Sequence, residues 1–170
     1  MKKTKKTVKS HIDQQKNYKI YTDGACEPNP GVGGYCSVIF GADDIKPMLV
    51  IRGGHKDTTN NRMEIMGVLC ALRYLTETSN ITFFSDSQYV CNSLNTWLYK
   101  WKAKNKVMKN MDLWNEIWEL RNKHKFKAIW IKGHNGNFYN EFTDMQSLEA
   151  IDKTNSIKRM FFEEIKYFDK

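Results

Sequence analysis

Polar and apolar positions alternate from Tyr18 onward. Tyr18, Ile20 and Thr22 alternate with Lys19, Tyr21 and Asp23, a period of two that predicts a strand. Glu27-Pro28-Asn29-Pro30-Gly31-Val32-Gly33-Gly34 joins φ-fixed prolines to permissive glycines and predicts a turn. Tyr35 to Phe40 reads as a second strand, 41–47 as a turn, and Met48 to Arg52 as a third strand, together an antiparallel meander. The period then changes. Ile65, Val68, Leu69, Leu72 and Leu75 fall at helical spacing, with no proline after Pro47. Ile81 to Phe84 reads as a short strand buried on both faces. A helix is predicted after Asp86, with Tyr89, Val90 and Leu94 inward, and another from Asn110 to about Lys123, with Met111, Trp114, Ile117 and Trp118 on one stripe. Phe126 to Ile131 is a final strand, and from Asn140 the chain reads as helix to near Tyr167. The order β-β-β-α-β-α-α-β-α implies an α/β fold: a mixed sheet covered by helices.

Composition adds partners to this picture. The chain of 170 residues fits one domain, and its net charge of +8 points to a polyanion. Residues 1–16 hold six lysines and one aspartate with almost no large apolar residues, and read as a basic flexible tail that adds loose attraction to nucleic acid. No apolar run is long enough to span a membrane. Met1 to Lys6 carries no apolar stretch behind it, so no secretory signal is expected and the expected location is cytoplasmic. Cys26, Cys36, Cys70 and Cys91 form no C-x-x-C pair, which argues against zinc and for free thiols in a reducing compartment.

Four acids stand at the ends of elements. Asp23 ends the first strand and Asp86 follows the fourth, while Glu64 and Asp144 fall in what read as the first turns of two helices. Strand ends and helix starts are where an α/β sheet presents ligand sites. Singly, each reads first as a turn residue, a helix cap or a dipole partner. Together they fit phosphodiester hydrolysis, in which two divalent ions about 3.5–4 Å apart stabilise the attacking and leaving oxygens. Hard ions of this kind take oxygen ligands.

The local motifs resemble one family. Ile20-Tyr21-Thr22-Asp23-Gly24-Ala25-Cys26 with Asn29-Pro30-Gly31-Val32-Gly33-Gly34-Tyr35 resembles the opening of type 1 ribonuclease H. Thr59-Asn60-Asn61-Arg62-Met63-Glu64, Ser85-Asp86-Ser87-Gln88-Tyr89-Val90, Asn110-Met111-Asp112-Leu113-Trp114, Ile131-Lys132-Gly133-His134-Asn135-Gly136 and Asn140-Glu141 through Asp144 follow in family order, over about residues 18–150. The resemblance implies five mixed strands flanked by helices. It implies endonucleolytic cleavage of the RNA strand of an RNA–DNA hybrid, leaving 3′-hydroxyl and 5′-phosphate ends, with two Mg²⁺ ions for which Mn²⁺ can substitute. Asp23 is then expected to bridge both ions, Glu64 and Asp86 to hold one, and Asp144 the other. His134, between Gly133 and Gly136, is expected to move protons for the attacking water or product. Cys26, Asn29, Asn60 and Gln88 are expected along the RNA strand, Thr59 and Asn61 on the DNA strand, and Trp97 near a deoxyribose. His11, His55 and His124 read as ordinary histidines.

Lys100 to Lys109, with Lys100, Lys102, Lys104, Lys106, Lys109 and Trp101, stands where many members carry a basic, substrate-binding protrusion, but is shorter than the full bacterial form. Asp57 and Lys100 stand where members often hold a DNA phosphate with arginine and asparagine. The expected organisation is a tail over 1–16, a catalytic domain over 17–150 and a helical extension over 151–170, in which Ile157, Met160, Phe161, Ile165 and Phe168 pack on the body of a monomer. The competing readings are a catalytically silent hybrid-binding module and another nuclease or strand transferase of the same fold.

Overall fold

The computed structural model describes residues 15–167, so the predicted tail 1–16 lies outside the described residues except for its last two positions. Strand β1 (Lys16–Cys26) is followed by β2 (Gly31–Gly41), β3 (Leu49–Thr58), helix α1 (Asn60–Tyr74) and β4 (Ser79–Ser85). Then come α2 (Gln88–Asn92), a π-helical turn (Ser93–Trp97), α3 (Leu98–Ala103), α4 (Met111–Leu120), β5 (His124–Trp130), α5 (Phe138–Ile157) and β6 (Phe161–Lys166). The sheet order is β5-β4-β1-β2-β3-β6. The pairs β1–β2, β2–β3 and β3–β6 are antiparallel, and β1–β4 and β4–β5 parallel, so the predicted meander and mixed sheet are present.

Helix α1 starts where Thr59 Oγ1 accepts a hydrogen bond from Arg62 N at 3.2 Å, which satisfies a free amide of the first turn. Its residues Met63 to Leu72 are buried, and with Ile20, Ile39, Ile51, Phe83 and the fully buried Trp114 they form the larger core on one face of the sheet. Helix α5 covers the other face, where Cys36, Val38, Phe40 and Val50 form a smaller core with Tyr139 and Phe142 packed against it.

The sheet has six strands where five were expected, because 161–166 is a strand and not helix. Helix α5 stops at Ile157, where Lys158 turns left-handed at φ 55°. Phe161, Glu163 and Ile165 are then half-buried while Phe162, Glu164 and Lys166 are exposed, a period of two. Phe161 and Ile165 satisfy helical and strand periods alike, which is how a short apolar pair misleads. Phe168 lies outside the described residues. A second correction concerns β4. It is buried on one face only: Ile81 and Phe83 are buried, and Thr82 and Phe84 half-buried. Both helices also begin earlier than their acids suggested, so Glu64 and Asp144 stand in second turns.

Candidate active site

Asp23 lies near the end of β1, paired with Cys36 of β2, and is 4% exposed. The next residue has to be glycine: a Cβ on Gly24 would lie 2.2 Å from the Met63 carbonyl carbon and 2.3 Å from Glu64 N. Without one, the backbone of α1 rests directly on β1, and Glu64 comes beside Asp23. Asp86 follows β4 in a fixed elbow. Ser85 Oγ accepts from Ser87 N at 3.1 Å, and Ser87 Oγ caps α2 by accepting from Val90 N at 3.2 Å. Trp130 Nε1 donates to the Asp86 carbonyl at 3.0 Å. Asn140 Nδ2, from the first turn of α5, donates to Asp86 Oδ2 at 3.3 Å, and Asn140 N is itself capped by Asn137 Oδ1.

Oxygens of Asp23, Glu64 and Asp86 lie within 4.8 Å of one another, close enough to share one metal ion. Asp144 is not in that triad but stands close enough for its charge to act on the Asp23 carboxyl. Burial, then the charge of Asp86, pushes Asp23 up to about 8, against the donated Gly24 N–H and with Asp144 adding to the rise. Burial and the charges of Asp23 and Asp86 hold Glu64 well above the usual carboxylate range. Glu64 Oε2 is buried with no hydrogen-bond partner. A crowded, partly orphaned acid cluster fits a divalent cation, which would offset the repulsion and give the free oxygen a partner.

The RNase H family model matches residues 15–152. Ribonuclease H of Helicobacter acinonychis is 47% identical over 134 residues, covering 78% of this chain and 92% of its own. Ribonuclease HI of Helicobacter pylori is 46% identical with the same coverage. The chain belongs to the RNase H family. It is of the type 1 form, and so a ribonuclease and a hydrolase. Among solved structures, LC9-RNase H1, a type 1 RNase H with the type 2 active-site motif, superimposes with TM-score 0.73 at 22% identity over 82% of this chain and 74% of that one. LC11-RNase H1 in complex with RNA/DNA hybrid gives TM-score 0.64 at 21% identity over 81% of this chain and 99% of that one.

The remaining predicted site residues of this RNase H fall in three places. Gly133 lies against Asp86, since a Cβ there would be 2.9 Å from Asp86 Oδ2, and its neighbour His134 is exposed with φ 52°. Asn29, Thr59, Asn60, Asn61 and Gln88 surround the N-termini of α1 and α2, and Asn29 Oδ1 accepts from Asn60 N at 3.1 Å. Cys26 is buried, with its thiol within hydrogen-bond reach of the Pro28 and Thr58 carbonyls. Trp97, Lys100, Lys102 and Lys104 form a separate group: Trp97 tilts against Trp101 at 6.3 Å, and Lys102 donates to Asn115. The residues that meet at the head of α1 are Arg62, Asn110 and Asp112: Arg62 binds Asp112 at 2.7 and 2.9 Å and reaches Asn110 Oδ1 at 3.4 Å, and Asn110 approaches Tyr89. The sequence alone offers no sign of these contacts or of the Asn140 bond. The signal that could have found Asn140 is its spacing of four from Asp144, which places both on one helix face.

Proposed function

We propose that this RNase H hydrolyses the RNA strand of RNA–DNA hybrids as an endonuclease, using two divalent ions, Mg²⁺ or in its place Mn²⁺. The observation that carries the reading is the triad of Asp23, Glu64 and Asp86, whose oxygens lie within 4.8 Å of one another although they come from β1, α1 and the elbow after β4. LC11-RNase H1, a relative in fold, is bound to RNA/DNA hybrid, which supports the substrate class.

Asp23 would serve both ions, Glu64 and Asp86 one of them, and Asp144 the other. The ions supply positive charge where the phosphate builds negative charge during displacement. The protein's share begins with protons. Asp23 and Glu64 hold theirs above the usual carboxylate range, so cation binding releases them and the site loads best at neutral to alkaline pH. Asn140 fixes the rotamer of Asp86 by its donated amide, leaving the other carboxylate oxygen free. His134, on its exposed loop beside Asp86, would take or deliver a proton at the water or the product. Water adds to phosphorus, the bond to the 3′ oxygen breaks, and the ends are a 3′-hydroxyl and a 5′-phosphate. Asn60 and Gln88 would contact the 2′-hydroxyls that mark the RNA strand, with Asn29 and the Cys26 backbone beside them. Thr59, Asn61 and Trp97 would meet the DNA strand, and Lys100, Lys102 and Lys104 its phosphates.

All four carboxylates come from one chain, which supports action as a monomer. Four buried free cysteines fit a reducing compartment and support a cytoplasmic place. The test is cleavage of an end-labelled hybrid with Mg²⁺ by the parent chain and by Asp86→Asn. Cutting by the parent alone is expected. No cutting by the parent would favour a silent hybrid-binding module, and equal cutting by Asp86→Asn would remove the triad from the chemistry.

A further inference from the structure

Among the described residues, no helix packs on the sheet face over β4 and β5 that lies on the α5 side. Helix α5 packs on β1, β2 and β3 and stops short of the parallel edge. Side chains alternate along each strand, so the register decides what this bare face shows. Lys19 of β1 pairs with Thr82 of β4, and Thr82 pairs with Lys127 of β5, which sets two lysines in one row across a hydroxyl. The adjacent row is Asn17, Asn80 and Lys125. These side chains line a shallow trough of about 460 Å³ that no carboxylate lines. Among the described residues, Lys19, Lys125 and Lys127 take part in no ion pair.

Toward the active site the same face turns aromatic. Phe84 stacks on Tyr21 at 4.9 Å, Tyr21 lies 5.8 Å from Tyr139, and Tyr139 lies 4.9 Å from Phe138. Phe138 is 69% exposed and Ile129 42%. Asp86 stands two residues beyond Phe84, and Thr82 four residues before Asp86, roughly 13 Å along the strand. Unpaired cations followed by one exposed ring, Phe138, and the half-buried Phe84 supply the two parts of a single-strand binding surface: charge for the backbone and π-faces for unstacked bases.

We propose that this bare face is a second nucleic-acid contact, which holds a single-stranded extension of the hybrid as it runs from the carboxylate site across Phe138 and Phe84 to the row of Lys19 and Lys127. The idea rests on the hybrid reading above, and the cleavage of a blunt hybrid is left to the residues already assigned. Charge complementarity selects the occupant. An apolar partner would leave three lysines desolvated and unpaired, whereas phosphates match them.

The test uses the full chain carrying Asp86→Asn, so that binding is read without cutting. Fluorescence anisotropy compares a blunt hybrid with the same hybrid bearing a single-stranded RNA extension, over a range of salt. The extension is expected to raise affinity, and Lys19→Gln/Lys125→Gln/Lys127→Gln to abolish the gain while blunt binding stays within twofold. The slope of log K against log salt for the extended hybrid should fall by about 2, from three contacts at about 0.7 each. A triple arginine variant at the same positions should keep the gain, which separates lost charge from lost folding. With Asp86 restored, the triple glutamine chain should cut blunt hybrid as the parent does. No gain from the extension, or a gain that survives the glutamine changes, would overturn the proposal. So would competition by polyglutamate equal to that by single-stranded RNA, which would make an acidic protein the occupant.

Discussion

Asp23 and Glu64 keep protons in the folded site at pH values where the unfolded chain has released them, because burial and their neighbours' charges disfavour ionisation. The folded state therefore binds more protons up to about pH 8, and stability falls as pH rises through that window. Burial holds His55 and His124 below their ordinary 6.5, and they act in the opposite sense only below that value. Between about 6.5 and 8 the acids stand alone. The melting temperature measured in chelator should drop across that range, and saturating Mg²⁺ should raise it and flatten the slope. A chelated protein whose melting temperature is level from 6.5 to 8 would contradict the raised carboxyls. Asn140 is the other residue whose effect is specific. Asn140→Ala removes the donor to Asp86 without opening the core, and should cost roughly 10–100-fold in metal affinity or activity with little change in melting temperature. Calorimetric Mg²⁺ titration of Asn140→Ala checks this. Gly24→Ala should act on both: its Cβ would force α1 off β1, costing about 1–3 kcal/mol in urea unfolding and weakening the metal site.

At the scale of elements, the added strand β6 changes how α5 is held. Arg52 of β3 is 5% exposed and reaches both: its Nε donates to Glu163 Oε2 of β6 at 2.9 Å, and its Nη1 to Gln146 Oε1 of α5 at 2.8 Å. Glu149 of α5 completes the cluster at 3.2 Å. A buried guanidinium needs these partners, so Glu163→Gln should destabilise by about 2 kcal/mol in chemical denaturation. A shift no larger than that of an exposed glutamate would show that β6 is not fastened this way. None of this was readable from the chain. Arg52 ended the predicted third strand without a partner, and 161–166 passed for helix because Phe161 and Ile165 fit a helical face. The meander, α1, the β4 position and β5 were legible because each repeats its period over several residues. Helix starts were not, since Asn137 and Thr59 act as caps through contacts that spacing does not display.

At the scale of the molecule, the four site acids and the α3 lysines belong to different elements. The four carboxylates meet at the ends of β1 and β4 and on α1 and α5, while Lys100, Lys102 and Lys104 stand on and beside α3. The position of the acids was legible in the sequence only through the motifs around them, since each alone was an ordinary turn or cap acid. Their convergence required Gly24, a residue whose meaning lies in what it lets approach. The lysines were legible as charge but not as surface: Lys19, Lys125 and Lys127 share a row only because β1, β4 and β5 are parallel neighbours. Hybrid binding should weaken steeply with salt, and neutralising Lys100, Lys102 and Lys104 together should lower the log–log slope by up to about 3 on blunt hybrid. An unchanged slope would remove the α3 segment from the interface.

The most direct measurement is a time course on three matched duplexes, hybrid, RNA and DNA, each labelled on both strands, with and without Mg²⁺. The expected result is cutting of the RNA strand of the hybrid alone, at internal positions, only with the ion, and with 5′-phosphate ends. Cleavage of the DNA strand, cleavage of the RNA duplex at a similar rate, or cutting that persists in chelator would contradict the account.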